Sequence, residues 1–334
     1  MAKTNTAANA KLQFEAGQEL NANAAMTDSG DHTTFNTSGA TLWSQKSGYE
    51  PVIRPDGLET GGAVTPGSGN DTISVAALTC YLAGVKETVS ADGSVSVTRP
   101  TGGSPLNSHN ISSVTIDSLG AITVVKGEDG TSFSATRGDA GGPPLIPVGS
   151  IEIAQVKLSS ATPAAITASE IFQIVGTSCE RWDYPIWSED PFSGEITFAS
   201  ALPAIHVGSP ATYKGVYAEV YEPVFSDLEP VTDFVPPETS HTVSSTAVYG
   251  GTVGASSSSL GQGSFKAFLK DAITEAFIGL KNETLFFKFY PDRNKAPYHI
   301  CQGKLGISRT FPAGDNIQAN CTISATQAGN DVAA

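Results

Sequence analysis

The run from Asn316 to Thr326 constrains this chain more than any other stretch. Ile317, Ala319, Cys321, Ile323 and Ala325 share one side of a two-residue repeat, and Gln318, Asn320, Thr322, Ser324 and Thr326 share the other. Successive side chains leave a strand in opposite directions, so this alternation predicts a strand with one buried face. Its second face holds amides and hydroxyls but no charge. Such a face suits a packed interface or a smooth wall, with an ordinary solvated strand as the alternative.

The residues before it follow the same logic. Leu285, Phe287 and Phe289 alternate with Phe286, Lys288 and Tyr290 over Thr284 to Tyr290, and Tyr298 to Arg309 reads as a strand pair or one long bent strand, with Gly303 and Gly306 allowing curvature. Further upstream, Val216, Ala218 and Val220 face one way and Tyr217, Glu219 and Tyr221 the other. Between these lies a different period. Phe265, Phe268, Leu269, Ala272, Ile273, Ala276, Phe277 and Leu280 recur at spacings of three and four, which predicts an amphipathic helix over about 264–281. Ser264 would be its N-cap, and Phe265, Phe268, Leu269, Ile273, Phe277 and Leu280 its core face. Gly250 to Gly263, with four consecutive serines, reads as a flexible loop feeding that helix.

The first half is β-rich and less regular. Residues 1–70 are weakly patterned but contain Phe14, Phe35, Trp43 and Tyr49, so they read as an extended arm ordered by packing. Residues 71–147 form a β-rich region, either an outer or a second domain. Gly141-Gly142-Pro143-Pro144 breaks regular structure and marks a seam, after which 148–334 is expected to be the main body. Ile151 to Leu158 resumes the strands with a bulge or bend near Gln155.

Charge narrows the function classes. The 334 residues carry a formal net charge of −14, with 16% charged residues, 34 glycines and 20 prolines. No Lys/Arg cluster exists of the kind a duplex-DNA binder needs to neutralise phosphates. The segment from Trp182 to Glu238 holds ten carboxylates and a single base, Lys214. It reads as a solvated surface, or as a band facing a pore or a neighbouring ring; Glu219, Glu222, Asp227, Glu229 and Asp233 are its candidate residues. Cys80, Cys179, Cys301 and Cys321 show no zinc spacing, and Cys321 is expected to be a buried free thiol. The chain shows neither an apolar leader nor a run approaching the roughly 20 apolar residues that span a bilayer.

No motif demands chemistry. His32, His109, His206, His241 and His299 form no metal-binding pattern, and no nucleophile elbow occurs. Gly263-Ser264-Phe265-Lys266 departs from a phosphate loop, and Arg137-Gly138-Asp139 is explained as a turn. No catalytic residue, metal or cofactor is expected.

Gly303-Lys304-Leu305-Gly306-Ile307-Ser308, Phe311-Pro312-Ala313-Gly314-Asp315 and the Thr/Ser-rich final strand, preceded by the glycine-rich loop and the expected helix, resemble the tail tube (major tail) proteins of long-tailed bacteriophages, closest to those of Chi-like flagellotropic siphophages. The likeness covers about 213–326. It implies a mainly β fold, a tail-tube-type β-sandwich or half-barrel with one flanking α-helix, to which this chain adds a β-rich N-terminal region. It implies a virion protein, assembled in the host bacterial cytoplasm, that stacks hexameric rings into a passive conduit for double-stranded DNA. Its partners would be copies of itself, the tape measure, tail terminator and distal tail proteins, and DNA transiently in the lumen, with no membrane. The length, well beyond a minimal tube fold, leaves a duplicated fold in a pseudo-hexameric trimer as an alternative. Rival expectations are a virion adhesion or decoration protein, and a β-sandwich carbohydrate-active or esterase-like enzyme.

Overall fold

A computed structural model describes residues 9–38, 42–103 and 107–333. The protein is mainly β and its contacts divide it into two compact units, neither of them contiguous in sequence. One contains residues 1–20, 42–51 and 221–334; the other contains 21–41 and 52–220.

The unit holding the C-terminus is built on one antiparallel sheet. Gly263–Phe268 pairs with Gln318–Ser324, which pairs with Tyr298–Thr310, then Thr284–Tyr290, then the start of Lys11–Asp28. Among the described residues Val231–Val235 pairs only with Gly263–Phe268 and so ends the sheet on that side. Leu12, Phe14, Phe265, Ala267, Leu285, Phe287, Cys301, Leu305, Ile307, Ala319, Cys321 and Ile323 form a continuous core on one face. The alternation expected of the last strand is present: Ala319, Cys321 and Ile323 are buried while Asn320, Thr322 and Ser324 are exposed. Thr284–Tyr290 is a strand, but Leu285, Phe286 and Phe287 are all buried, so it is covered on both faces at that end. Tyr298–Thr310 is one long strand. At Gly303 an added Cβ would lie 2.9 Å from the Ala325 nitrogen, so the neighbouring chain can approach only a glycine there.

The helix expected over 264–281 is corrected. Gly263–Phe268 is a strand, and the only helical turn in the stretch is Ala276–Gly279. Gly263, Phe265 and Ala267 are buried while Lys266 is exposed, a two-residue period lying inside the apparent three-to-four spacing. Beyond it, Ala272 takes φ 59°, which no helix accommodates. The Asp271 carboxylate accepts the N–H groups of Ile273 and Thr274 at 2.8 and 2.9 Å, and the Glu275 carboxylate accepts those of Asp271 and Ala272 at 2.9 and 3.2 Å. These local bonds replace a helical ladder. Of the six expected core residues, Phe265, Leu269 and Phe277 are buried, Phe268 and Leu280 are half-buried, and Ile273 is 72% exposed. The segment still covers the sheet, with Phe277 edge-on to Phe14 at 5.3 Å.

On the opposite face of this sheet a buried carboxylate organises the 42–51 segment. Glu15 is fully buried, as are Trp43 and Ser44. Glu15 accepts hydrogen bonds from the Ser44 hydroxyl, from Gln18 at 2.9 Å and from the Phe286 N–H at 3.1 Å. Residues 11–20 are therefore an integral strand, where the sequence suggests an arm; residues 1–8 lie outside the described part.

The second unit combines small sheets around its own core. Gly57–Gly61, Leu78–Leu82 and Val85–Val89 form one; Val64–Pro66, Thr72–Val75 and Asp92–Ser96 another. Asn110–Ile116 sits between Ile122–Val125 and Ile151–Leu158 in a third. Ile73, Val75, Cys80, Val114, Ile116, Ile151, Ile153, Val156 and Leu158 meet in the middle. The seam expected at 138–147 is not a boundary, because the ladder between Asn110–Ile116 and Ile151–Leu158 bridges it. The anticipated irregularity in Ile151–Leu158 occurs at Ile153, which is passed over between the Ala154 and Glu152 pairings.

Candidate functional site

The most unusual surface in the C-terminal unit is a hairpin, Thr239–Val248 paired with Gly251–Leu260 through ten consecutive residue pairs. Tyr249 and Gly250 make the two-residue turn, and Gly250 supplies φ 93°. Each strand is about 33 Å long at ~3.3 Å per residue. All residues of the first strand and all but Leu260 of the second are exposed. Val243, Val253 and Tyr249 are 77%, 60% and 109% exposed. From Ser240 to Leu260 no Asp, Glu, Lys or Arg occurs.

Such a ribbon has almost nothing to hold it. An isolated two-stranded hairpin is marginal in water, and this one adds chiefly hydroxyl contacts, such as Ser240 to Ser259 at 3.1 Å. Long, uncharged, β-prone strands with unpaired edges invite pairing with another chain. The expected flexible loop at 250–263 is thus corrected to half of a ribbon. The Gly250-Gly251 pair between uncharged Thr/Ser/Val runs was the available signal, obscured by the serines' low hydrophobicity.

The uncharged strand face is in the same sheet. Asn320, Thr322 and Ser324 lie opposite Ser308, Gly306 and Lys304 on one side, and Asn320 and Thr322 lie opposite Lys266 and Ser264 on the other. Gln318 is half-buried, and Thr326 lies past the strand's end and is exposed. Lys266, which pairs with Asp233 at 3.2 Å, and Lys304 bring charge to a face that is uncharged in the last strand alone.

The acidic candidates are not a bare band. Asp227 accepts from Gln13 at 2.7 Å and lies 3.8 Å from Lys11; Glu229 meets Arg293 at 2.5 Å; Asp233 meets Lys266 at 3.2 Å. In the other unit, Glu219 pairs with Arg54 at 3.1 Å. Glu222 makes no ion pair among the described residues. Four of the five candidates are thus paired with bases drawn from distant positions.

The four cysteines are free and buried; burial pushes the Cys301 and Cys321 thiols up to about 12 and those of Cys80 and Cys179 to about 11. These are inert thiols. Arg137 of the Arg-Gly-Asp tripeptide is turned inward, donating to Glu152 at 2.6 Å and to the Pro144 carbonyl at 2.6 Å. Among the described residues no group of His, Cys, Asp or Glu could hold a metal, and no helix is long and apolar enough to cross a membrane. No protein-family model matches the chain, and no curated protein is detectably similar.

Proposed function

We propose that this chain is a structural virion protein whose copies close into rings and stack as the tail tube of a long-tailed bacteriophage, a passive conduit for double-stranded DNA. The observation that carries this reading is the uncharged hairpin at 239–260, exposed at every strand position but Leu260, which lacks a hydrophobic face of its own; pairing with another copy would complete it. The resemblance of residues 213–326 to tail tube proteins supplies the geometry. In that geometry the C-terminal sheet is a half-barrel whose edges join neighbouring subunits, and the tape measure, terminator and distal tail proteins bound the stack. A net charge of −14 supports mobile DNA, since an acidic surface repels phosphates.

Electron microscopy of the concentrated protein tests the proposal. Stacked rings or hollow rods are expected from the full chain. A variant with 240–260 replaced by a short Gly-containing turn should keep its thermal unfolding transition and lose the ability to stack. Monodisperse monomers under every condition, or rods that form equally well without the hairpin, would overturn the reading.

A further inference from the structure

The unit containing residues 52–220 carries a half-open pocket of about 730 Å³, within the usual range for small-molecule sites. Ile111, Pro143, Leu202 and Ile205 give it apolar walls, and Tyr184 and Ile186, 53% and 75% exposed, stand among its lining residues with open apolar surface. Six charged groups also line it: Arg137, Glu152, Lys157, Glu180, Arg181 and Lys214. Arg181 is held by Asp183 at 2.8 Å, and the Lys157 ammonium lies over the Phe172 ring at 4.2 Å.

These groups are unequally satisfied. Arg137 and Glu152 neutralise each other at 2.6 Å, and Glu152 also accepts from the Ser113 hydroxyl and from Gln155 at 3.2 Å. One oxygen of Glu180 accepts the Glu152 N–H at 2.6 Å. Lys214 stands apart. Its residue is 7% exposed, yet its ammonium makes one long hydrogen bond, 3.5 Å to the Asp56 carbonyl, and no ion pair among the described residues. An ammonium has three N–H donors, so two remain unspent in a buried site. Burial lowers the pKa of this ammonium even though the Glu180 and Asp56 carboxylates act on it through space without an ion pair, so a ligand that supplies acceptors recovers part of the desolvation cost.

We infer that this cavity is a binding site for a small carboxylate with an apolar body, whose carboxylate accepts from Lys214 while its hydrocarbon part fills the space between Ile111, Leu202 and Ile205. Glu180 flanks the carboxylate. Burial pushes its own carboxyl up to about 7, against the opposing pull of Lys214, so near neutral pH it is protonated in much of the population and donates a second hydrogen bond. Benign occupancy by water leaves the apolar walls without a partner. A ligand of this class satisfies both parts, and the site is independent of any ring assembly.

Isothermal titration of the full chain with acetate, hexanoate and 3-phenylpropionate tests this. Saturable binding of hexanoate or 3-phenylpropionate is expected, weaker for acetate, and at least tenfold weaker for 3-phenylpropionamide, because a charge-assisted hydrogen bond becomes a neutral one. Lys214→Met should lose at least tenfold in affinity. Should that variant unfold, Leu202→Trp, which fills the cavity and leaves the ammonium in place, provides the second arm and should also abolish binding. Failure of all three carboxylates to bind, equal affinity for the amide, or binding unchanged in both variants would overturn the assignment.

Discussion

Arg137 and Glu152 illustrate how much a residue's meaning depends on its burial. In sequence Arg137 opens an adhesion-like tripeptide; in the fold its side chain is 15% exposed and pairs with a Glu152 side chain that is 2% exposed. Removing one partner strands a buried charge. Arg137→Met should therefore destabilise by about 3–5 kcal/mol in urea unfolding, with much of that loss recovered in the Arg137→Met/Glu152→Met double variant. Glu180 makes a prediction in pH. Its folded-state pKa, about 7, lies above the usual 4.5 chiefly because burial disfavours the charge. The native state then holds the proton more tightly than the unfolded chain. The contribution is intact below the unfolded value and is lost as pH rises through the folded one. The stability of the native chain relative to Glu180→Gln should decline by up to about 3 kcal/mol between about pH 5 and pH 8, less where cavity water solvates the carboxylate. A pH-independent difference would show that the carboxyl is not buried as described.

At the scale of elements, Ala267 separates the expected helix from the observed strand. On a helix carrying Phe265, Leu269 and Ala272 inward, position 267 points to solvent and tolerates lysine. In the strand it is 1% exposed within the sheet core. Ala267→Lys should cost about 3–5 kcal/mol in chemical denaturation, or abolish folding, because it buries an unpaired ammonium. The same change at exposed Lys266 in reverse, Lys266→Ala, should cost under about 1 kcal/mol. The hairpin makes the complementary prediction. Ser257→Lys lies on a fully exposed strand and should leave thermal unfolding unchanged within about 0.5 kcal/mol, while suppressing rod formation seen by electron microscopy.

The whole molecule is threaded, not strung. The C-terminal unit needs residues 11–20 for a strand and 42–51 to surround Glu15, while residues 148–220 belong with 52–147. A fragment comprising 148–334, the main body suggested by the sequence, loses the Lys11–Phe14 ladder to Thr284–Tyr290 and the Asn110–Ile116 ladder to Ile151–Leu158. Its expected behaviour is a broad, non-cooperative thermal transition where the full chain melts cooperatively. Assembly should also depend on salt. Copies with net charge −14 repel over about 30 Å at 0.01 M ionic strength and about 8 Å at 0.15 M, so light scattering should report faster association at the higher value.

Local alternation was enough to read the strands Thr284–Tyr290 and Gln318–Ser324 and the first half of Val216–Leu228, as far as Tyr221, because a side chain's direction in a strand depends only on its parity. The same rule correctly placed Cys321 inside. It failed at Gly263–Phe268, where two-residue and three-to-four-residue periods share Phe265 as an inward position and only the partner strands on both edges choose between them. Residues 239–260 were illegible for another reason: an uncharged Ser/Thr ribbon that buries nothing has no hydrophobic period to detect. Charges followed neither pattern. Asp227, Glu229 and Asp233 found Lys11, Arg293 and Lys266, and Lys214 reached the wall of a cavity. Parity is a property of neighbouring residues along a chain, whereas pairing and enclosure depend on distances that exist only after the chain has closed on itself.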